Sequence, residues 1–216
     1  MAIDPGSDPH RGQPVLQAGA GLAAARAAMI MVHGRGASAA DILSLAEIFQ
    51  RNDIIYLAPQ AADSTWYPYR FFEPVGRNEP YLSSALRAIG GLLRWLGERN
   101  MPPEKVVILG FSQGACLALE FAAREPRRYG GVIGFSGGLI GANVAPAAYS
   151  GFLNATPVLI GCGDTDPHIP LARVRETTEV MRALGAAVTE RIYPGLGHTI
   201  NEDEISHALA VLNTIM

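Results

Sequence analysis

The chain has 216 residues, enough to form one globular domain around a single sizeable core. Hydrophobic residues make up 49% of the sequence and charged residues only 17%, which excludes an intrinsically disordered or fibrous protein. The net charge is only -3 and no basic run occurs, so the sequence has no electrostatic footprint for binding nucleic acid.

Short apolar runs alternate with helical periods along most of the chain. The predicted elements, in chain order, are a strand at residues 28–32, a helix at 39–50, a strand at 53–58, a helix at 81–99, a strand at 105–109, a helix at 114–124, strands at 131–135 and 157–161, a helix at 171–184, a strand at 187–193 and a helix at 202–215. The apolar runs do not alternate with polar residues, which indicates strands buried on both faces. The fold class is therefore α/β, with a mostly parallel central sheet and helices on both faces.

Three segments lack a regular period. Residues 1–24 are predicted to be an N-terminal extension that is partly disordered or forms an edge strand, and residues 25–216 to be a single domain. Residues 60–80 are rich in aromatic residues and prolines, and residues 137–156 are rich in small residues. Loops this long in a compact domain are usually functional or disordered, and the apolar content of these two argues against disorder.

The aromatic segment at residues 60–80 allows two interpretations. It is predicted to form a wall of an apolar substrate pocket, with Trp66, Tyr67 and Phe72 as the binding residues. Alternatively, its aromatic side chains pack into a small satellite core of their own. The sequence favours neither interpretation over the other.

The most informative stretch is Gly-Phe-Ser-Gln-Gly at residues 110–114, which lies between a predicted strand and a predicted helix. In a nucleophile elbow, the serine occupies a strained turn and its small neighbours let the strand and helix backbones approach each other. The helix dipole at this position favours developing negative charge. Ser112 is therefore the predicted nucleophile, and a serine that merely caps the helix is the alternative.

The chain order Ser, Asp or Glu, then His is typical of hydrolases of this architecture. After Ser112, one strand leads into a loop with Asp164 and Asp166, and the last strand leads into a loop with His198. Parallel strands bring these loops to the same edge of the sheet as Ser112. We predict that His198 takes the serine proton, while an aspartate fixes the imidazole tautomer and stabilises the imidazolium.

The other histidines are weaker candidates for the base by their position. His10 lies in an N-terminus predicted to be weakly ordered, His33 precedes the serine, His168 lies on the acid loop, and His207 lies inside the last helix.

Two aspartates compete for the acid. Asp166 precedes a proline, which disfavours the helical region and fixes the local turn. Asp164 could instead accept hydrogen bonds from backbone amides in an Asx-turn. The residues alone give Asp166 only a modest advantage.

Taken together, these motifs resemble those of the carboxylesterase/lysophospholipase family of α/β-hydrolases, which includes the acyl-protein thioesterases. The resemblance covers about residues 25–216. The motifs that carry it are His-Gly-x-Gly at 33–36, Ala-Pro-Gln at 58–60, Gly-Phe-Ser-Gln-Gly at 110–114, Asp-x-Asp-Pro-x-Ile-Pro at 164–170 and Gly-x-Gly-His at 195–198.

The resemblance implies an α/β-hydrolase fold, Asp166 as the acid, and the backbone amides of Arg35 and Gln113 as the oxyanion hole. It also implies hydrolysis of carboxylic esters with short to medium acyl chains. Arg35 departs from the better-known thioesterases, which have an apolar residue at this position. Its guanidinium is expected to lie in solvent, to pair with a structural carboxylate, or to contact an anionic group on a substrate.

The sequence therefore predicts a cofactor-free serine hydrolase that acts on a small-molecule ester through an acyl-enzyme. A thioesterase or lysophospholipase with the same triad is the alternative, and a binding protein that has lost catalysis is a third, against which the intact Ser/Asp/His set argues. No Cys/His cluster has zinc spacing, so no metal is expected. No apolar stretch approaches the roughly 20 residues that span a bilayer, and no signal peptide is apparent, so a cytoplasmic protein without stable membrane insertion is expected. A homodimer is compatible with the sequence.

Overall fold

The computed structural model describes residues 8–215, which are built around a seven-stranded β-sheet. The strands are β1 (Val15–Gly19), β2 (Ala27–Val32), β3 (Ile54–Pro59), β4 (Val106–Phe111), β5 (Gly131–Phe135), β6 (Pro157–Gly163) and β7 (Ala187–Tyr193). Their spatial order is β1-β3-β2-β4-β5-β6-β7, and all neighbours are parallel except β1 and β3. The strand order reverses between β2 and β4, and ligands of open α/β sheets bind at such a switch point.

Five α-helices cover the two faces of this sheet within the described residues. They are α1 (Ala39–Phe49), α2 (Tyr81–Gly97), α3 (Gln113–Arg124), α4 (Leu171–Ala183) and α5 (Glu202–Asn213). Buried side chains of α2, α3 and α4 join one apolar core, and those of α1 and α5 join a second core on the opposite face. The predicted α/β architecture is therefore confirmed. No helix in the part of the chain that the structure describes is long and apolar enough to cross a bilayer.

The first strand adds an antiparallel edge to the sheet. In β1, Val15 lies opposite Pro59 of β3 and Gly19 lies opposite Ile55. Four of the five β1 residues are exposed, so this strand lacks the continuous apolar run by which the buried strands are predicted. Residues 1–7 of the predicted extension lie outside the described residues.

The expectation that His10 is weakly ordered is wrong. Only 5% of His10 is exposed, and its Nε2 lies 2.9 Å from the carbonyl oxygen of Trp66. Its Nδ1 accepts a hydrogen bond of 3.1 Å from the amide of Ala62, so the proton resides on Nε2. Burial lowers the pKa of His10, which favours this neutral form. These partners lie more than 50 residues away in the sequence, where no local pattern reveals them.

Residues 137–156, here called the small-residue loop, are ordered by two buried charged side chains. The Glu120 carboxylate on α3 accepts hydrogen bonds from the amide of Ile140 at 2.8 Å and from the hydroxyl of Tyr149 at 3.1 Å. Arg173 on α4 donates to the carbonyl oxygens of Leu139 and Gly141, each at 2.9 Å. A buried charge is costly unless it is hydrogen-bonded, so each charge and the loop backbone satisfy one another.

Helix α5 carries a buried carboxyl group against the sheet. Glu204 is fully buried, and its Oε2 accepts a hydrogen bond of 2.9 Å from the amide of Asn201, the N-cap residue. Its Oε1 has no hydrogen-bond partner within residues 8–215 and faces Gly161, where a Cβ atom would lie 2.2 Å from it. Burial raises the pKa of Glu204 to about 7, and the nearby Asp203 carboxylate adds to this, whereas the Asn201 amide opposes it.

This carboxyl group makes the stability of the fold depend on pH. Between pH 4.5 and about 7, the folded chain holds a proton on Glu204 that the unfolded chain has released. The contribution of Glu204 is therefore fully present below pH 4.5 and is lost as the pH rises to about 7, with a total of up to about 3 kcal/mol. We expect Glu204→Gln, which remains neutral, to remove this part of the pH dependence. Urea denaturation of both proteins at pH 5 and pH 8 measures it, and an equal change in unfolding free energy in both would contradict the assignment.

Candidate active site

Ser112 occupies a strained turn between β4 and α3. Its backbone has φ 56° and ψ -119°, a left-handed conformation that residues other than glycine rarely adopt. Two glycines make the turn sterically feasible. A Cβ atom on Gly110 would lie 2.1 Å from the carbonyl oxygen of Gly114, and one on Gly114 would lie 2.0 Å from that of Val32. The sequence thus forms an elbow that exposes the serine side chain.

The Ser112 hydroxyl belongs to a chain of three side chains. Its Oγ lies 2.9 Å from Nε2 of His198, and Nδ1 of His198 lies 2.7 Å from Oδ2 of Asp166. The Ser112 side chain makes no capping hydrogen bond to α3, so the alternative of a helix-capping serine is wrong. The Asp166 side chain is fully buried, whereas that of His198 is 19% exposed. This geometry can transfer a proton from the hydroxyl to the imidazole.

The environment of Asp166 keeps its carboxyl ionised. Burial by itself would raise its pKa, but the hydrogen bond with His198 and those from the backbone amides of His168 and Ile169 outweigh burial and lower the pKa. The two amides donate to Oδ1 at 2.8 Å and 3.1 Å, which leaves Oδ2 for the imidazole. An ionised Asp166 favours the tautomer with the proton on Nδ1, so Nε2 is free to accept the Ser112 proton.

Asp164 has a different partner. Its Oδ1 accepts a hydrogen bond of 2.7 Å from the amide of Gly195, which belongs to the loop that carries His198. Asp164 therefore connects the acid loop to the histidine loop through the backbone. Of the two candidate aspartates, the structure brings only Asp166 to the imidazole.

The backbone amides of Arg35 and Gln113 lie in the loops after β2 and β4, on either side of the switch point. Among residues 8–215, neither amide donates a hydrogen bond. The Gln113 side chain is occupied elsewhere, because its Oε1 accepts from the Trp66 amide at 2.9 Å and its Nε2 donates to the Tyr67 carbonyl at 2.8 Å. Free amides beside a nucleophile can stabilise an oxyanion, and one such donor typically contributes about 3 kcal/mol to the barrier reduction.

Ser112 and His198 line a cavity of about 840 Å³. The segment at residues 60–80, here called the aromatic loop, contributes eight of its twenty lining residues, and the acid loop contributes four. The apolar lining residues are Ala37, Tyr67, Pro68, Tyr69, Phe71, Phe72, Phe111, Cys116, Pro167, Ile169 and Pro170. The predicted pocket residues Tyr67 and Phe72 thus lie at the cavity. An aromatic wall of this kind suits an apolar substrate.

Trp66 does not line the cavity, so its predicted role in substrate binding is wrong. The residue is fully buried, and its Nε1 donates a hydrogen bond of 2.9 Å to the carbonyl oxygen of His33. Its ring packs against the imidazoles of His10 and His33, with centroids 5.2 Å and 5.0 Å apart. Trp66, Tyr67 and Phe71 belong to the main apolar core beneath α2, α3 and α4, so the alternative of a satellite core of the loop's own is wrong.

Within residues 8–215, the Arg35 guanidinium pairs with no carboxylate, and it does not extend freely into solvent. It donates to the carbonyl oxygens of Tyr67 at 2.8 Å, Pro68 at 3.0 Å and Tyr69 at 2.8 Å. Three of its five N–H groups thus bind the aromatic loop, which corrects the expectation of a charged partner. The side chain of Arg35 lines the cavity and also fixes the backbone of the aromatic loop.

We expect Arg35→Leu to lower kcat/KM for neutral and anionic esters by the same factor, because the guanidinium is already bonded to three carbonyl groups and its loss loosens the pocket wall. The lost hydrogen bonds should lower the unfolding free energy by about 1 kcal/mol. Arg35→Lys is the matched control, since it keeps the charge but lacks the planar fork that reaches three carbonyls. A loss confined to anionic esters in Arg35→Leu, with Arg35→Lys unaffected, would contradict this role.

Two residues beside the imidazole were not predicted as part of the site. The rings of Phe111 and His168 pack on His198 with centroid distances of 5.0 Å and 4.8 Å, and both residues line the cavity. Phe111 belongs to the motif at residues 110–114 and His168 to the motif at 164–170, so their positions in the sequence were a signal that could have identified them. They restrict the rotation of the imidazole that must face Ser112.

Comparisons with known proteins identify the family of this chain. The profile of the family described as Phospholipase/Carboxylesterase matches residues 17–216. The chain is similar to acyl-protein thioesterase 1 of Debaryomyces hansenii, with 24% identity over 94% of this chain and 97% of that one, and to acyl-protein thioesterase 1 of Candida albicans, with 26% identity over 89% and 93%. Among solved structures, a phospholipase/carboxylesterase from Dyadobacter fermentans superposes with a TM-score of 0.88 at 43% identity, covering 94% of this chain and 96% of that one.

Among the described residues, no group of three or more His, Cys, Asp or Glu side chains could hold a metal ion.

Proposed function

This chain belongs to the phospholipase/carboxylesterase family and is a carboxylic ester hydrolase, and from that premise we propose that it cleaves esters of short to medium acyl chain through an acyl-enzyme on Ser112. The observation that carries the proposal is the hydrogen-bonded series Ser112, His198 and Asp166 at the aromatic cavity. The family membership supports ester hydrolysis in general, and the side-chain geometry supports this particular mechanism.

In the first half of the reaction, the Ser112 Oγ attacks the carbonyl carbon of the ester while Nε2 of His198 takes the hydroxyl proton. The carbonyl oxygen becomes an oxyanion, to which the amides of Arg35 and Gln113 donate hydrogen bonds. Asp166 stabilises the imidazolium that has formed. When the C–O bond to the alcohol breaks, the imidazolium gives its proton to the departing oxygen, and the acyl group remains on Ser112.

In the second half, water takes the place that the alcohol has left. His198 accepts a proton from this water as its oxygen attacks the acyl carbon, and the same amides stabilise the second oxyanion. Collapse of the intermediate breaks the bond to Ser112 Oγ, which recovers its proton from His198. The carboxylic acid then leaves, and the free enzyme is restored.

Thioester hydrolysis is the second candidate function. The relatives named acyl-protein thioesterase 1 align over most of this chain, and the same three side chains can attack a thioester carbonyl. The thiolate of a thioester needs less help from a general acid than an alkoxide, because a thiol is a much stronger acid than an alcohol. A comparison of matched oxoesters and thioesters therefore separates the two functions.

The test is a series of ethyl esters from acetate to laurate beside the ethyl thioesters of the same acids. We expect kcat/KM for the oxoesters to rise from acetate to a medium chain length and then to level off or fall as the cavity is filled. Ser112→Ala is the blank for spontaneous hydrolysis. Absence of hydrolysis above this blank for every ester would overturn the proposal, and a higher kcat/KM for the thioesters would favour the second function.

A further inference from the structure

The cavity wall carries an excess of positive charge. Three arginines line it, Arg35, Arg70 and Arg77, together with a single carboxylate, that of Glu73. Arg77 pairs with Glu73 at 2.9 Å, and its guanidinium lies 4.3 Å from the ring centroid of Tyr69. The Arg35 guanidinium binds the backbone of the aromatic loop. The third arginine, Arg70, differs from these two in its contacts.

The backbone of Arg70 is fixed, whereas its charge is unpaired. Its carbonyl oxygen accepts hydrogen bonds from the Glu73 amide at 3.1 Å and from Nδ2 of Asn78, a fully buried residue, at 3.2 Å. Its guanidinium lies 5.6 Å from the ring centroid of Phe72, which gives it an apolar support. Within the described ranges, the guanidinium of Arg70 has no carboxylate or carbonyl partner, although the residue is exposed and lines the cavity.

From these contacts we infer that Arg70 selects esters that carry a carboxylate, such as monoesters of dicarboxylic acids, over neutral esters of equal length. The inference rests on the proposed ester hydrolysis at Ser112. A guanidinium offers two parallel N–H groups that match the two oxygens of a carboxylate. The guanidinium of Arg70, unlike that of Arg35, has no hydrogen-bond partner within the described residues and can receive the carboxylate, and the ring of Phe72 limits the orientations that it can adopt.

The test compares ethyl monoesters of succinic, adipic and suberic acid with ethyl esters of the unsubstituted acids of the same length. Hydrolysis is followed by titration of the released acid at neutral pH. For the chain length that spans the distance from Ser112 to Arg70, we expect Arg70→Gln to lower the ratio of kcat/KM for the monoester to that for the neutral ester about fivefold. Arg70→Glu should lower this ratio further, and Arg70→Lys should retain part of it.

The matched control is Arg94→Gln, which removes an exposed arginine of α2 outside the cavity and changes the net charge by the same amount. We expect this variant to keep the wild-type ratio, and added salt to reduce the ratio only where Arg70 is present. Circular dichroism verifies that each variant is folded. An equal ratio in the wild type and Arg70→Gln at every chain length, or an equal loss in Arg94→Gln, would overturn the inference. If the wild type hydrolyses neither ester class above the Ser112→Ala blank, the proposed function itself fails.

Discussion

Ser112→Ala and His198→Ala are each expected to lower kcat for ester hydrolysis by on the order of a million-fold, because each removes one end of the proton transfer that activates the nucleophile. Their hydrogen bond of 2.9 Å makes them one functional unit. The double variant should therefore be no slower than either single variant, since the remaining partner has no function alone. The activity that remains should come from the oxyanion amides and from substrate binding.

Purified variants are compared with the wild type in initial-rate assays on a p-nitrophenyl ester of medium chain length. Ser206→Ala and His207→Ala provide the matched controls, since these neighbouring residues lie on α5 outside the cavity, and both should retain wild-type kcat. Thermal denaturation establishes that the fold is intact in every variant. A folded Ser112→Ala protein that keeps more than about a hundredth of the wild-type kcat, or a double variant far slower than both single ones, would contradict the proposed unit.

Asp166→Asn is expected to lower kcat about ten-thousandfold while Asp164→Asn has little effect. An asparagine at position 166 no longer favours the proton on Nδ1, so Nε2 cannot be relied on to accept the Ser112 proton. At position 164 the amide oxygen of asparagine can still accept the hydrogen bond from Gly195, which is the one hydrogen bond that the Asp164 side chain makes within residues 8–215. The change from Asp to Asn thus removes a charge that stabilises the imidazolium at position 166, whereas at position 164 it removes a charge that does not contact the imidazole.

The pair of variants is informative because both substitutions remove one negative charge from the same loop. kcat and circular dichroism are measured for both, together with Asp164→Ala, which also removes the acceptor for Gly195 and should be less stable than Asp164→Asn. If Asp164→Asn proved the more damaging to kcat, with both proteins folded, Asp166 would not be the acid.

The buried strands and the α/β fold class could be predicted because burial of a strand gives a continuous apolar run in the sequence. Strands β2 to β6 are apolar almost throughout, and the elbow at Ser112 combines a strand end, two glycines and a helix start within five residues. The exposed edge strand β1 leaves no such record. Its pairing with β3 follows from backbone hydrogen bonds, which any sequence can make.

The side-chain partners within the aromatic loop could not be predicted. Whether Trp66 faces the cavity or the interior depends on its partners His10 and His33, which lie far away in the chain. The partners of Arg35 could not be predicted either, because its guanidinium binds backbone carbonyl groups. Every residue has such a group, so the sequence does not single these three out. The two aspartates were ambiguous for a related reason, because a single turn decides which carboxylate faces His198.

The most direct test of a nucleophilic Ser112 is labelling with a fluorophosphonate, in which Oγ attacks phosphorus and displaces fluoride. Intact-mass spectrometry and peptide mapping identify the modified residue. We expect a single adduct on Ser112 in the wild type, none in Ser112→Ala, and greatly slowed labelling in His198→Ala. An adduct on another residue, or labelling that persists unchanged in folded Ser112→Ala, would contradict the assignment of Ser112 as the nucleophile.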